Sequence, residues 1–230
     1  MLQHSRRTAA QPRNQQIRRL PEEGPAQTNR RRPPVIDLSR APGSGEAWGR
    51  PRAVVYLWSA CELLFVSNPW QISSRLRVAV LRAFGADIAD GVIFRPRTRV
   101  KSPWKLHIGE RTWIGEGVWF HNQDHIHVGS DVVISQETFL TTGSHRVRTD
   151  MGLITSPIRI DNGAWLTSRC MVLGGSHIGE SAVVQPMSVV KGTIEPNRVY
   201  GNPVHPTDLG NRFAEGTDGP GDDAGAGIQG

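Results

Sequence analysis

Ile108-Gly-Glu-Arg-Thr-Trp113 runs directly into Ile114-Gly-Glu-Gly-Val-Trp119, and the pattern returns in Val128-Gly-Ser-Asp-Val-Val133 and Ile134-Ser-Gln-Glu-Thr-Phe139. An aliphatic residue opens each unit of six, Gly often follows, and a small or β-branched residue stands four places after the first. Upstream, Ile88-Ala-Asp-Gly-Val-Ile93 has the same form, with Phe94 and Val100 in step. A two-residue slip after Phe120 precedes the unit at Val128, and the phase then holds to Leu140. Beyond a break near residues 143–157 it resumes through Ile160, Leu166, Val172, Ile178, Val184 and Val190, with Ala164, Cys170, Ser176, Ala182 and Ser188 at the small positions.

Inward side chains at positions one and five of every six fit neither the alternation of a long strand nor the 3.6 period of a helix. They fit a coil of short strands joined by turns, with an aliphatic residue inside and a small one near each corner. Stacked coils bury a continuous apolar column that no single repeat could bury alone. Three faces per coil make a prism, and residues 88–191, less the break, supply roughly five turns of about eighteen residues.

The remainder of the chain has a different composition. Residues 1–50 hold ten arginines against four acidic residues, an excess equal to the +6 formal charge of the whole 230-residue chain. Residues 205–230 are acidic and Gly-rich, with no apolar run after Phe213. Both ends are expected to be disordered, an Arg-rich arm and an acidic tail. The basic charge therefore describes an arm rather than the folded body, so no nucleic-acid partner is expected, while peripheral contact with anionic lipid stays open. Cys61 and Cys170 have neither disulfide-framework nor metal-ligand spacing. The longest apolar run, Ala53–Val66, is short of the roughly twenty residues that span a bilayer. With no apolar stretch before residue 53, the expected location is the cytoplasm.

Residues 51–87 are expected to be helical. Pro51 precedes Ala53–Val66, and Asn68-Pro69 ends that segment. A second helix over Gln71–Phe84 sets Ile72, Leu76, Val80, Leu81 and Phe84 at helical spacing and stops at Gly85. It should pack over the end of the repeat domain, residues 88–204, with Arg75, Arg77 and Arg82 solvated.

Spacing does not set the hand of the coil, since parallel crossovers are right-handed in about 98% of cases. Asn68-Pro-Trp70, Leu81-Arg-Ala-Phe-Gly-Ala86, Pro103-Trp-Lys-Leu106, Thr142-Gly-Ser-His145, Ala164-Trp165 and Gly201-Asn-Pro203 resemble the hexapeptide-repeat acyltransferases of the colanic-acid and maltose or galactoside type. The resemblance implies a left-handed parallel β-helix, a homotrimer, and O-acetyl transfer from acetyl-CoA to a sugar hydroxyl of a polysaccharide or glycolipid intermediate, with no metal required. By the same resemblance His145 is the general base and Asn122 and Ser144 lie on the acceptor side. Trp165 and Ser168 lie beside the pantetheine arm, and Lys191 near its outer end. Gln185-Pro186-Met187 and Gly174-Gly175-Ser176-His177 depart from the family's usual turns.

The residues point to the same place independently. A break in a regular solenoid forfeits pairing and usually carries function. The one here opens with Thr141-Thr-Gly-Ser-His145. Acyl transfer from a thioester to an alcohol needs a group that removes the hydroxyl proton during attack, a task suited to imidazole near neutral pH. Two other functions are open from sequence: a noncatalytic β-helix scaffold, and a metalloenzyme like the γ-class carbonic anhydrases, because His121, His125 and His127 crowd one segment. If Ile126 and Val128 face inward, His125 and His127 face out, so these three are not expected to converge on one ion. His107 and His177 are expected to be solvated.

Overall fold

A computed structural model describes residues 35–43 and 45–201. The expectations for residues 1–34 and 202–230, including Asn202 and Pro203, lie outside the described residues. The body is a parallel β-helix with three faces. The first face stacks Asp87–Ile88, Leu106–Ile108, Ile126–Val128, Ile158–Ile160, His177–Ile178 and Thr193–Ile194. The second stacks Ile93–Phe94, Trp113–Ile114, Val133–Ile134, Trp165–Leu166, Val183–Val184 and Val199–Tyr200. Five strands make the third, Arg99–Val100, Trp119–His121, Phe139–Thr141, Met171–Leu173 and Val189–Val190.

Every aliphatic or aromatic position of the repeat lies inside. Ile88, Phe94, Val100, Ile114, Phe120, Ile134, Leu140, Leu166, Val172, Val184 and their counterparts are all buried, as are Thr112, Val118, Val132, Thr138, Ala164, Cys170, Ala182 and Ser188 at the small positions. In-register parallel pairing, Phe94 against Ile114 and Val100 against Phe120, lines these side chains into columns. Gly often follows the aliphatic residue because the coils approach closely there: a Cβ on Gly109 would stand 2.5 Å from the Ser130 backbone nitrogen, and one on Gly115 2.8 Å from that of Gln136.

The first coil of a solenoid leaves a row of strand-edge groups unpaired. Here two helices, α1 (Arg52–Cys61, continued by a π-helical turn at Glu62–Val66) and α2 (Ser74–Ala83), supply the partners. On the first face Arg82 Nε donates to Ile88 O at 2.8 Å. On the second, Ser74 Oγ accepts from Phe94 N at 2.9 Å and Arg77 Nη1 donates to Phe94 O at 3.4 Å. On the third, Glu62 Oε1 accepts from Val100 N at 2.7 Å and Trp58 Nε1 donates to Val100 O at 2.8 Å.

This corrects the reading of the helical segment. It does pack over the end of the β-helix with Arg75 and Arg82 exposed as expected, but Arg77 is fully buried, and Arg82 also donates to the Ile88 and Ala89 carbonyls. α2 begins at Ser74 with Ser73 as its cap, so Ile72 falls outside it and is 85% exposed. The boundary expected at residue 50 also shifts. Residues Gly45–Trp48 form a 3₁₀ turn held to the body, with Trp48 O accepting from Trp104 Nε1 at 2.8 Å and Ala47 O from Lys105 Nζ at 2.7 Å.

Candidate active site

The break in the repeat is an antiparallel hairpin. Gly143–His145 pairs with Leu153–Thr155, setting His145 opposite Leu153, and the hairpin leaves the corner where the third face turns into the first. Its tip is internally tied. Arg146 makes a two-pronged ion pair with Asp150 at 2.8 and 2.7 Å, and Asp150 Oδ1 also accepts from Gly152 N at 2.9 Å. The Arg146 guanidinium and that backbone bond hold the Asp150 carboxyl far below the usual carboxylate range. Gly152 lets the guanidinium lie where any Cβ would collide with it.

This order has a consequence for His145. Met151 is held in the left-handed region at φ 56°, and its carbonyl oxygen lies 2.7 Å from His145 Nδ1. A carbonyl can only accept, so Nδ1 carries the hydrogen and Nε2 of the neutral ring keeps its lone pair. The side chain is exposed, and Ser144 beside it is exposed as well. Pro42, Gly43, Ala47, Arg146, Leu153 and Thr155 line a groove of about 320 Å³ against the hairpin.

A second cavity, about 350 Å³, lies between α1 and the third face, lined among others by Trp48, Tyr56, Arg99, Trp104, Trp119 and His121. Arg99 sits over the Trp119 ring at 3.9 Å. His121 Nδ1 is 3.1 Å from Thr141 Oγ1, and burial, reinforced by Lys101 and Arg99, pushes its imidazole below the usual value. Sequence reasoning missed Pro42, Gly43 and Ala47 in the first cavity and Trp48 in the second. Trp48, the one aromatic residue of the first fifty, was the available signal.

Asn122, expected on the acceptor side, lies inside the coil. It is fully buried, its Oδ1 accepts from Ser102 N at 3.0 Å and its Nδ2 donates to Ser102 O at 2.6 Å. Each end of the amide gives one bond to the same backbone unit of the preceding coil, and the side chain has no exposed surface. Trp165, on the second face, is 47% exposed and donates to Ser135 Oγ at 3.0 Å. Ser168 stands at the corner between the second and third faces, bonded to Gln136 at 3.1 Å. Lys191 is exposed on the same corner as the hairpin, two coils further along. A single chain therefore brings Ser144, His145 and Lys191 to one edge of the prism and leaves Trp165 and Ser168 on another.

The remaining histidines also differ from expectation. His177 Nε2 bonds Asp161 Oδ2 at 2.6 Å, and His107 is not solvated alone but stacks on His127. His121 stays apart with Thr141, while His125 and His127 meet His107, a set that the sequence reading did not weigh.

No protein-family model matches the chain. The Escherichia coli (strain K12) protein named for colanic acid biosynthesis acetyltransferase activity, WcaF, is 33% identical over 160 residues, which span 69% of this chain and 82% of that protein. The chain belongs to the hexapeptide-repeat acetyltransferases. Solved members of this family share the fold. The hexapeptide-repeat acetyltransferase VCA0836 of Vibrio cholerae, in complex with acetyl coenzyme A, matches with a TM-score of 0.59 at 24% identity, covering 66% of this chain and 84% of that one. A maltose O-acetyltransferase from Clostridium difficile 630 gives 0.58 at 21% identity, covering 70% and 92%. As a hexapeptide-repeat acetyltransferase the chain is an enzyme of acyl transfer. Among the described residues no helix is long and apolar enough to cross a membrane.

Proposed function

We propose that this acetyltransferase moves an acetyl group from acetyl-CoA to a sugar hydroxyl of a polysaccharide or glycolipid intermediate, with His145 as general base. The observation that carries the reading is the Nδ1 contact to Met151 O, which leaves His145 Nε2 as the acceptor of a proton. As the acceptor oxygen attacks the thioester carbonyl, Nε2 takes the hydroxyl proton. The resulting imidazolium is stabilised by its hydrogen bond to Met151 O. When the tetrahedral intermediate collapses, the C–S bond breaks and the proton passes to the departing CoA thiolate. No covalent acyl-enzyme is needed, because the thioester is already activated.

Acetyl-CoA as donor is supported by its presence in the similar VCA0836 complex, and a sugar acceptor by the names of the relatives. The cytoplasm, where acetyl-CoA is made and used, is the compartment that suits this donor. Ser144 flanks the base on the acceptor side. Trp165 and Ser168 would contact the pantetheine arm and Lys191 the outer end of CoA. Because Trp165 and Ser168 lie on a different edge from His145, a complete site needs a second copy, which favours a homotrimer with sites between prisms. The faces differ accordingly: Trp113, Trp165 and Val199 on the second, and Met171 and Val189 on the third, expose apolar surface, whereas the first exposes His127, Arg159 and Asp87. The test is a panel of sugars incubated with acetyl-CoA and the protein, read by free-thiol release. Acceptor-dependent release supports the reading, and no release with any sugar while acetyl-CoA binds would overturn it.

A further inference from the structure

The first face carries a cluster that acetyl transfer does not use. Asp87, His107 and His127 stand in register on its outer surface, because Asp87 pairs with His107 and His107 with His127. His125, at the corner leading into the strand Ile126–Val128, turns back over them. The His107 and His127 rings stack 4.4 Å apart and 10° from parallel, and His107 Nε2 lies 3.0 Å from His125 Nδ1. One nitrogen from each of the three rings can be chosen so that all lie within 4.8 Å of one another. Four ligands at about 2.0–2.1 Å around a tetrahedral ion stand about 3.3 Å apart, so modest side-chain rotation closes the set.

The surroundings suit a cation bound by neutral imidazoles. Asp87 Oδ2 lies 3.4 Å from His107 Nδ1, on the ring atom opposite the one facing His125. A carboxylate there would fix the tautomer that points the Nε2 lone pair at an ion. Asp124 is also close, its Oδ1 bonded to the His125 backbone at 2.8 Å. The neighbouring cation Arg159 is drawn toward Asp161, with Nε to Oδ1 at 2.7 Å, which tempers its opposition. The cluster borders a groove of about 530 Å³ along the first face.

We propose that His107, His125 and His127 form a three-histidine site for a divalent transition cation of the zinc, nickel or copper class, with Asp87 orienting His107 and a water or external ligand at the open position. Three imidazoles select this class over the oxygen-seeking magnesium and calcium ions. The ligands come from two successive coils, so the ion ties the strand Leu106–Ile108 to Ile126–Val128 and to the corner excursion before it. The site shares no residue with the His145 hairpin and takes no part in the proposed reaction.

The experiment is calorimetric titration of zinc alone into tag-free, chelator-stripped full-length protein, with melting curves in zinc and in chelator. One equivalent should bind and raise the midpoint, and magnesium should do neither. His107→Ala or His127→Ala should weaken binding by more than about a hundredfold, and Asp87→Asn by about tenfold to a hundredfold, as for carboxylates that orient metal-bound imidazoles. His177→Asn, on the same face beyond Arg159, should bind like wild type. Melting curves in chelator show whether each variant is folded, and cupric ion at the site should give an electron paramagnetic resonance spectrum with nitrogen hyperfine structure. Absence of stoichiometric uptake, or uptake unchanged in folded His107→Ala and His127→Ala proteins, would overturn the proposal.

Discussion

Replacing Arg77 by Met tests whether the β-helix is closed at its first coil by helix side chains. The Arg77 side chain has no solvent-accessible surface, and it donates to Val66 O at 3.1 Å, Phe94 O at 3.4 Å and Asn68 O at 3.5 Å. Val66 ends the π-helical turn, so the guanidinium also sits at the negative end of a helix dipole. A hydrogen bond from a charged donor is worth about 1.5–3 kcal/mol, and the two long bonds count toward the bottom of that range. Met fills similar volume but leaves three carbonyls without a donor. Relief from burying a cation, which here lowers the arginine's proton affinity, offsets part of the loss. The net is a destabilisation of about 2–4 kcal/mol, which for a domain of this size lowers the melting midpoint by roughly 5–15 °C. Arg77→Lys should fall between, since one ammonium cannot reach all three carbonyls. Thermal denaturation followed by circular dichroism measures both, and a fall of under about 2 °C for Arg77→Met would refute the edge-closing role.

Asn122→Ala should cost about 1–3 kcal/mol by orphaning the Ser102 N–H, while Ser102 O keeps its bond from Lys105 N, yet leave the acceptor KM unchanged at low temperature; a raised KM with intact stability would return Asn122 to the substrate site. Glu62 gives a pH test. Burial raises its carboxyl above the ordinary 4.5 despite its bond from Val100 N, so its contribution to stability is present below that pH and lost as pH rises through the raised value. Glu62→Gln, which can still accept from Val100 N, should therefore melt higher than wild type at pH 7 and match it near pH 4. An equal or lower midpoint at pH 7 counts against this. Trp165→Ala should raise the KM for acetyl-CoA by about tenfold, the equivalent of an aromatic contact of about 1.4 kcal/mol, with little change in kcat; an unchanged KM would remove Trp165 from the donor site.

The interior was legible because it is periodic: Ile88, Phe94, Val100 and their successors could be placed inside from spacing alone. What the sequence concealed lies where the period is modified. The coils from Ile88 to Ile108 and from Ile108 to Val128 each run to 20 residues, and the excess sits at the corner between the third and first faces. That length aligns Asp87, His107 and His127 at intervals of 20, a pairing visible only once the excess is assigned to a corner. It also widens the corner at Ser102, whose backbone then needs the Asn122 amide that the family resemblance had placed beside a ligand. Arg77 and Arg82 read as a solvated face because helical spacing does not reveal that the helix lies across unpaired strand edges. The role of His145 was suggested by the break in the repeat, but the carbonyl of Met151, six residues away and held by Asp150 and Gly152, could not be read from the chain.

The proposed reaction turns on His145 removing the acceptor proton. Its most direct test is the steady-state kinetics of His145→Ala against wild type, with acetyl-CoA and whichever sugar supports thiol release. The kcat should fall by about 10²–10⁴, with acetyl-CoA affinity and melting curve unchanged, since the imidazole acts mainly in the transition state. A folded His145→Ala protein that kept more than about a tenth of the wild-type kcat would contradict it.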